Sequence, residues 1–323
     1  MIGVGIIGLG HVAAHQIAAI EQSPNFQLLA GCDLDRERHS LLGESAKAFV
    51  STSKFLEECE DLDVVVVASP NRLHVEHGVA VMESGKWLLM EKPLAESPEA
   101  FERFGLRKKE LSANCTIALH AAFGVETEWY CGTGGLLASD IDNLASICSS
   151  FDDPYVRDSR LLPQARSLGG SWLDSGINAL SVICRIVDPG SIVVEKCQMT
   201  RDDRGTCSEL DSSVGYSFKT KKRAGCGTIQ TSWLNGLDRK VTSLEFAEGD
   251  RTVVLDHSEQ RVVLSANGLT RCVFENSNGL SRLTNHYIGV FSDLARQIES
   301  GIDNFEYCEQ LHSVLYEAER RAS

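Results

Sequence analysis

Residues 1–22 read MIGVGIIGLGHVAAHQIAAIEQ, and their reading decides the fold. Ile2–Gly8 is an apolar run of strand length, and Val12–Gln22 carries a helical pattern. Between them stands Gly8-Leu9-Gly10-His11-Val12-Ala13, a G-x-G-x-x-A turn. Gly8 permits the tight turn, Gly10 lets a phosphate approach the backbone, and Ala13 is small enough for helix and strand to pack closely. A pyrophosphate on this turn would meet free amide donors and the positive end of the helix dipole. No Lys or Arg precedes the apolar run, and no small-residue cleavage site is clear. The stretch therefore reads as strand, turn and helix rather than as a signal peptide.

The alternation continues outward to about residue 121. Phe26–Asp33, Phe49–Val50, Asp63–Ala68, Trp87–Glu91 and Cys115–His120 have strand character; Asp35–Glu44, His74–Ser84 and Pro98–Leu111 have helical character. Asp63–Ala68 is nearly all valine, as expected of a parallel strand covered on both faces. Residues 1–121 are thus expected to form a doubly wound parallel sheet, an α/β Rossmann domain. After that the grammar changes. A helix over Gly124–Cys131 and a strand over Leu144–Phe151 precede a helix over Trp172–Val187, stopped by Asp188-Pro189-Gly190. Ile192–Thr200, Ser212–Phe218, Gly225–Trp233, Lys240–Ala247, Arg251–Asp256, Gln260–Leu264 and Arg271–Phe274 then alternate with turn residues. Residues 122–323 are expected to form an α+β domain with a large, mostly antiparallel sheet. Helices Thr284–Ser300 and Cys308–Arg320 close it, the last a candidate to pack back on the first domain.

Composition narrows the function classes. The formal net charge of −14 repels phosphate backbones and anionic lipid, so neither nucleic acid nor membrane is an expected partner. No segment has the length and apolarity of a membrane span. The eleven cysteines are odd in number and contain no C-x-x-C; Cys115, Cys148 and Cys184 lie in apolar patterns. They read as small buried thiols of a reducing cytosol, which implies a cytoplasmic protein.

Asp33 ends the second strand, 23 residues after Gly10. That spacing suits a carboxylate accepting hydrogen bonds from the adenosine ribose hydroxyls. A carboxylate there repels a 2′-phosphate and favours NAD, while nearby Arg36 leaves NADP open. The alternative reading of Asp33 is a helix N-cap.

Two further segments carry chemistry. Ser69-Pro70-Asn71-Arg72-Leu73-His74 follows the valine strand, and Glu91-Lys92-Pro93 follows Trp87–Met90. Both lie at carboxyl ends of strands, where open α/β sheets bind ligands. Gly169-Gly170-Ser171-Trp172-Leu173-Asp174-Ser175-Gly176-Ile177-Asn178 comes later. With these motifs in this order, roughly the first 190 residues resemble the Gfo/Idh/MocA family of oxidoreductases, glucose–fructose oxidoreductase and inositol dehydrogenase among them.

The resemblance implies that Lys92 lies beside the nicotinamide and the substrate hydroxyl, where an ammonium stabilises charge on the reacting oxygen. It implies a second catalytic position at Asp174. The family's histidine four residues on is replaced here by Asn178, which can hydrogen-bond but cannot shuttle protons near neutral pH. Acid–base work then falls on Lys92 and Asp174, with Asn178 orienting the substrate. Gly8, Gly10, His11, Val12, Ala13, Asp33, Ser69, Asn71, His74 and Glu91 are the expected cofactor residues. His120, Asp152, Arg157 and Trp172 are the substrate candidates. For His120 a structural role, and for Asp152 and Asp153 a turn cap, stand beside substrate binding. No cluster has metal-ligand spacing, and no metal is expected. Asp174-Ser175-Gly176-Ile177-Asn178-Ala179-Leu180-Ser181 looks like the corresponding helix of bacterial aldose 1-dehydrogenases acting on L-arabinose or D-galactose. The implied reaction moves a hydride between a sugar or cyclitol carbon and the nicotinamide, in a homodimer or homotetramer. Inositol, a nucleotide sugar, or an imine or enone are alternative substrates. A nucleotide-binding regulator without catalysis is the non-enzymatic alternative.

Overall fold

The computed structural model describes residues 1–158, 160–201, 209–248 and 250–322. They divide into two compact units, Met1–Leu119 with Leu283–Cys308, and His120–Arg282 with Glu309–Ser323.

The first unit runs β1 (Ile2–Ile7), α1 (His11–Gln22), β2 (Phe26–Cys32), β3 (Lys47–Phe49), α2 (Thr52–Glu58), β4 (Val64–Val67), α3 (His74–Glu83), β5 (Trp87–Glu91), α4 (Pro98–Leu111) and β6 (Cys115–Ala118). The six strands are parallel in the order β3-β2-β1-β4-β5-β6. All four valines of β4 are wholly buried; each such side chain contributes about 1.5–3 kcal/mol. α4 begins on Ser97, whose hydroxyl accepts from the Ala100 amide, and has Pro98 in its first turn. Two local expectations change. Asp35–Glu44 is a 3-10 helix over Arg36–Leu42, started by the Asp35 side chain on the Glu37 amide. α2 was not legible as a helix, because its seven residues bury only Phe55 and show no periodicity.

The second unit opens with a 3-10 turn, His120–Phe123, followed by α5 (Val125–Cys131), α6 (Leu137–Asp140), β7 (Leu144–Asp152) and the short hairpin of β8 (Val156–Arg157) and β9 (Arg160–Leu161). A π-helical turn over Trp172–Gly176 leads into α7 (Ile177–Ile186). Seven strands follow: β10 (Val193–Arg201), β11 (Glu209–Lys219), β12 (Ala224–Ser232), β13 (Arg239–Phe246), β14 (Arg251–Asp256), β15 (Arg261–Ala266) and β16 (Leu269–Glu275). The eight-stranded sheet has the order β10-β11-β12-β7-β13-β14-β15-β16. It is antiparallel except where β7 runs parallel to β12. The alternation of apolar residues reveals each strand but not that β7 slots between β12 and β13. The outer face of β7 carries Cys148, which is exposed rather than buried as expected, whereas Cys115 and Cys184 are buried.

The chain ends with α8 (Arg282–Ser300) and α9 (Phe305–Ala322). The segment that returns to the first unit is α8 with the opening turn of α9, rather than the last helix as a whole. The Asp303 carboxylate accepts from the Cys115 amide at 2.8 Å, and the Asn304 side chain pairs with both the amide (2.8 Å) and the carbonyl (3.0 Å) of Ile117. These side chains complete the open edge of β6, and Phe305 stacks on Phe101 at 5.5 Å.

Candidate functional site

In the first unit the carboxyl ends of β1, β4 and β5 stand in one row, since these strands are neighbours. Gly8 leaves β1 at φ +95°, and a Cβ there would lie 2.6 Å from the Ala68 carbonyl. Only glycine allows the turn to pass so close to β4's end. Gly10 caps α1 with no side-chain hydrogen bond and no acidic residue in the first turn. A Cβ on Gly10 would meet nothing nearer than the Arg38 guanidinium, at 3.9 Å. The first amides of α1 thus open onto space of the kind a pyrophosphate requires. Ala13 is buried against the sheet, Val12 is half-buried and His11 is exposed, its ring edge-on to His15 at 5.2 Å.

Asp33 braces this turn. Its Oδ2 accepts from the Leu9 amide at 2.8 Å, and its Oδ1 from the Asp35 amide at 2.9 Å. Asp35, not Asp33, caps the helical turn that follows. The cation beside Asp33 is Arg38, at 3.5 Å, rather than Arg36.

The loops after β4 and β5 are tied by a buried histidine. The two ring nitrogens of His74 each lie 2.8 Å from a carbonyl oxygen, Nδ1 from Pro93 and Nε2 from Ser69. A neutral ring donates from only one nitrogen. Burial lowers the His74 pKa, against the opposing pull of the two carbonyls. The Ser69 hydroxyl lies 2.9 Å from His77 Nδ1. Asn71 opens the 3-10 turn Asn71–Leu73 and is half-buried. The Lys92–Pro93 bond is cis, and Lys92 is half-buried immediately after β5. Glu91, expected at the cofactor, turns its carboxylate into the interior, toward Gln16 and Tyr287.

The second unit gathers its own polar cluster at the ends of β7 and β13. Asp153 accepts from the Ser175 hydroxyl at 2.7 Å and from Lys240 Nζ at 2.8 Å. Lys240, itself buried, also reaches Asp238 at 2.6 Å and the Asp152 carbonyl at 3.1 Å. These three acceptors use all the donors of its ammonium. The Asp152 carboxylate takes a 3.4 Å contact from Asn235, and burial raises its pKa. Asp174 is half-buried one residue before Ser175; its charge, with burial as the larger cause, raises the pKa of the Tyr155 hydroxyl.

The helix that carries Asp174 and Asn178 opens with a π turn rather than a regular α-helical one. The Asn178 amide donates to the main-chain carbonyl of Asp174 at 3.1 Å. Single π turns often mark functional sites. Asn178 Oδ1 is shielded from solvent with no donor among the described residues. The helix start is fixed by Glu209, which is buried. Its carboxylate accepts from the Trp172 amide at 2.7 Å and from the hydroxyls of Ser171 (2.6 Å) and Ser212 (2.5 Å).

The other substrate candidates are placed as follows. Trp172 is 1% exposed, and its indole donates to the Leu315 carbonyl at 2.9 Å, so the ring is core. His120 does not end β6, which stops at Ala118, and it is buried at the start of the 3-10 turn. Arg157 is exposed on β8. Trp233 is also core, edge-on to Tyr155 at 5.2 Å. Lys240, Glu209 and Gln16 were missed. Lys240 and Gln16 are polar residues at inward positions of otherwise apolar patterns, and that was the available signal, whereas Glu209 is out of phase with the inward residues of β11 and gave none.

Residues 2–118 match the model of the Gfo/Idh/MocA oxidoreductase family, described as an NAD-binding Rossmann fold. The chain is 31% identical over 129 residues to the D-glucoside 3-dehydrogenase of Escherichia coli (strain K12), covering 39% of this chain and 36% of that protein. It is 34% identical over 104 residues to the levoglucosan dehydrogenase of Pseudarthrobacter phenanthrenivorans, covering 31% of this chain and 27% of that protein. The aligned stretches therefore span about a third of the relatives' length or less. Among solved structures, levoglucosan dehydrogenase with NADH and levoglucosan superposes with a TM-score of 0.81 at 15% identity, over 99% of this chain and 97% of that one. An oxidoreductase from Agrobacterium radiobacter in complex with NAD+, L-tartaric acid and magnesium gives 0.81 at 14% identity, over 99% and 96%. These likenesses establish a shared fold along the chain.

Proposed function

We propose that this protein is a nicotinamide-dependent dehydrogenase of the Gfo/Idh/MocA kind, acting on a CH–OH carbon of a sugar or cyclitol. The observation that carries the reading is the placement of Lys92. It leaves the carboxyl end of β5, in the same row as the glycine turn of β1 and the Ser69 loop after β4. In open α/β sheets that row is where ligand binds.

Gly8, Gly10 and the first amides of α1 would hold the pyrophosphate, with Val12 and Ala13 behind them. Asp33 would take the adenosine ribose hydroxyls, which favours NAD over NADP; Ser69, Asn71 and the His74 tie would shape the nicotinamide end. A nicotinamide held there would supply the acceptor for the hydride of the substrate carbon. Lys92 hydrogen-bonds the reacting oxygen and stabilises its developing charge. Asp174 accepts the proton, and Asn178 and Asp152 orient hydroxyls. With Asn178 in the histidine position, a weaker proton acceptor suffices if the substrate is a lactol, whose hydroxyl is more acidic than an ordinary alcohol. That supports oxidation of an aldose at C1 to a lactone as the finer reading. The names of the relatives, which include glucoside, levoglucosan and inositol dehydrogenases, support ring secondary alcohols as the second reading.

Absorbance of reduced cofactor tests this with L-arabinose, D-galactose, a methyl glucoside, levoglucosan and myo-inositol, each with NAD+ and NADP+. Turnover is expected with at least one of them and with NAD+ preferred. Lys92→Ala is expected to lower it at least about a hundredfold while cofactor affinity stays within a few-fold. Unchanged turnover in that variant removes the mechanism.

A further inference from the structure

We propose that Tyr287 and Gln16 are positioning residues for Lys92, acting through Glu91, whose carboxylate they lock in the interior one residue before the lysine. The proposal rests on reading Lys92 as the catalytic lysine. Glu91 is the last residue of β5, Gln16 lies on α1 and Tyr287 on α8, so three elements of the first unit converge on one carboxylate.

The hydrogen bonds are distributed unequally. Oε1 accepts from Gln16 Nε2 at 2.7 Å and from the Tyr287 hydroxyl at 2.6 Å. Oε2 receives the Lys92 main-chain amide, at 3.3 Å. Both side-chain donors thus pin one oxygen, and the other is left to the residue that carries the ammonium. Gln16, Glu91 and Tyr287 are all buried, so water does not substitute for a lost donor. Burial pushes the Glu91 carboxyl up, while the Tyr287 hydroxyl and the Lys92 charge pull it down. Burial and the Glu91 charge push the Tyr287 hydroxyl well above its ordinary range, so it remains a donor at any working pH.

With its other oxygen pinned, the Glu91 carboxylate cannot turn away from the Lys92 main-chain amide. It therefore fixes the backbone from which the lysine side chain leaves the end of β5. The same network anchors α1, whose first turn is the candidate pyrophosphate site, so cofactor helix and lysine loop share one support.

Isotope-labelled reductive methylation of the lysines, followed by NMR of the Lys92 signal, tests the coupling without any substrate. The signal is assigned by its loss in Lys92→Arg. In Gln16→Ala and Tyr287→Phe the Lys92 signal is expected to move from its wild-type position, and in Tyr287→Phe kcat is expected to fall more than KM is altered. Thermal unfolding verifies that each variant is folded; should Gln16→Ala not fold, Tyr287→Phe carries the test alone. An unmoved signal in the folded variants overturns the proposal, even if Lys92→Ala abolishes turnover. A moved signal with Lys92→Ala fully active instead overturns the catalytic reading and leaves the coupling standing.

Discussion

At the scale of single residues, backbone conformation and one or two contacts decide most of what the first unit can do. Gly8 combines a φ of +95° with a Cβ position 2.6 Å from the Ala68 carbonyl and the Ser69 amide. Gly8→Ala therefore meets both a disfavoured conformation and a backbone clash. It is expected to destabilise the protein by about 2 kcal/mol or more and to abolish dinucleotide binding, read by urea denaturation and calorimetric titration. The motif was legible here because its reasons are local: a turn, a small residue and an open helix end. The role of Glu91 was not legible. Its partner Tyr287 lies 196 residues away, and no spacing along the chain announces such a pair.

At the scale of elements, buried carboxylates govern how helices meet the second unit's sheet. Glu209 on β11 grips the start of the helix that carries Asp174, and burial raises its pKa. Glu319 on α9 is raised to about 7, first by burial and then by the Glu209 charge, with Arg201 opposing. Unfolding returns Glu319 to its ordinary value of 4.5, so between that value and about 7 the native state holds a proton that the unfolded chain has released. Stability from this group consequently falls as pH rises through that window. Glu319→Gln is expected to flatten the decline and to raise stability at pH 8 by about 1 kcal/mol, the partial exposure of the side chain reducing the full linkage value. Urea unfolding of both proteins across the pH range checks it. A π turn in place of a regular helix start belongs to the same scale. Hydrophobic periodicity announced a helix over Trp172–Val187, but it cannot register the extra residue in the first turn.

At the scale of the whole molecule, the parallel sheet and the larger mixed sheet follow the order of apolar patterns closely, and the broad architecture was legible on that account. Strand order was not: β7 enters the sheet before α7, yet pairs with β12 and β13. The resemblance also implies assembly through the exposed face of that sheet, where Cys148, Cys226, Gln230 and Glu245 are open to solvent. Light scattering is expected to give a dimer or tetramer. Gln230→Arg with Glu245→Arg is expected to shift that mass toward the monomer, whereas an unchanged mass argues for another face.

The sequence by itself determined which segments become strands and helices, where the glycine turn lies and which lysine follows the fifth strand. Each of those depends on side-chain size, polarity and backbone freedom within a few residues. The tertiary structure alone decided that Glu91 faces Tyr287 and Gln16, that Trp172 is core, that β7 lies between β12 and β13, and that Asp303 and Asn304 finish β6. Those outcomes depend on which distant groups exclude water from one another, and burial of that kind comes into being only when the chain has closed.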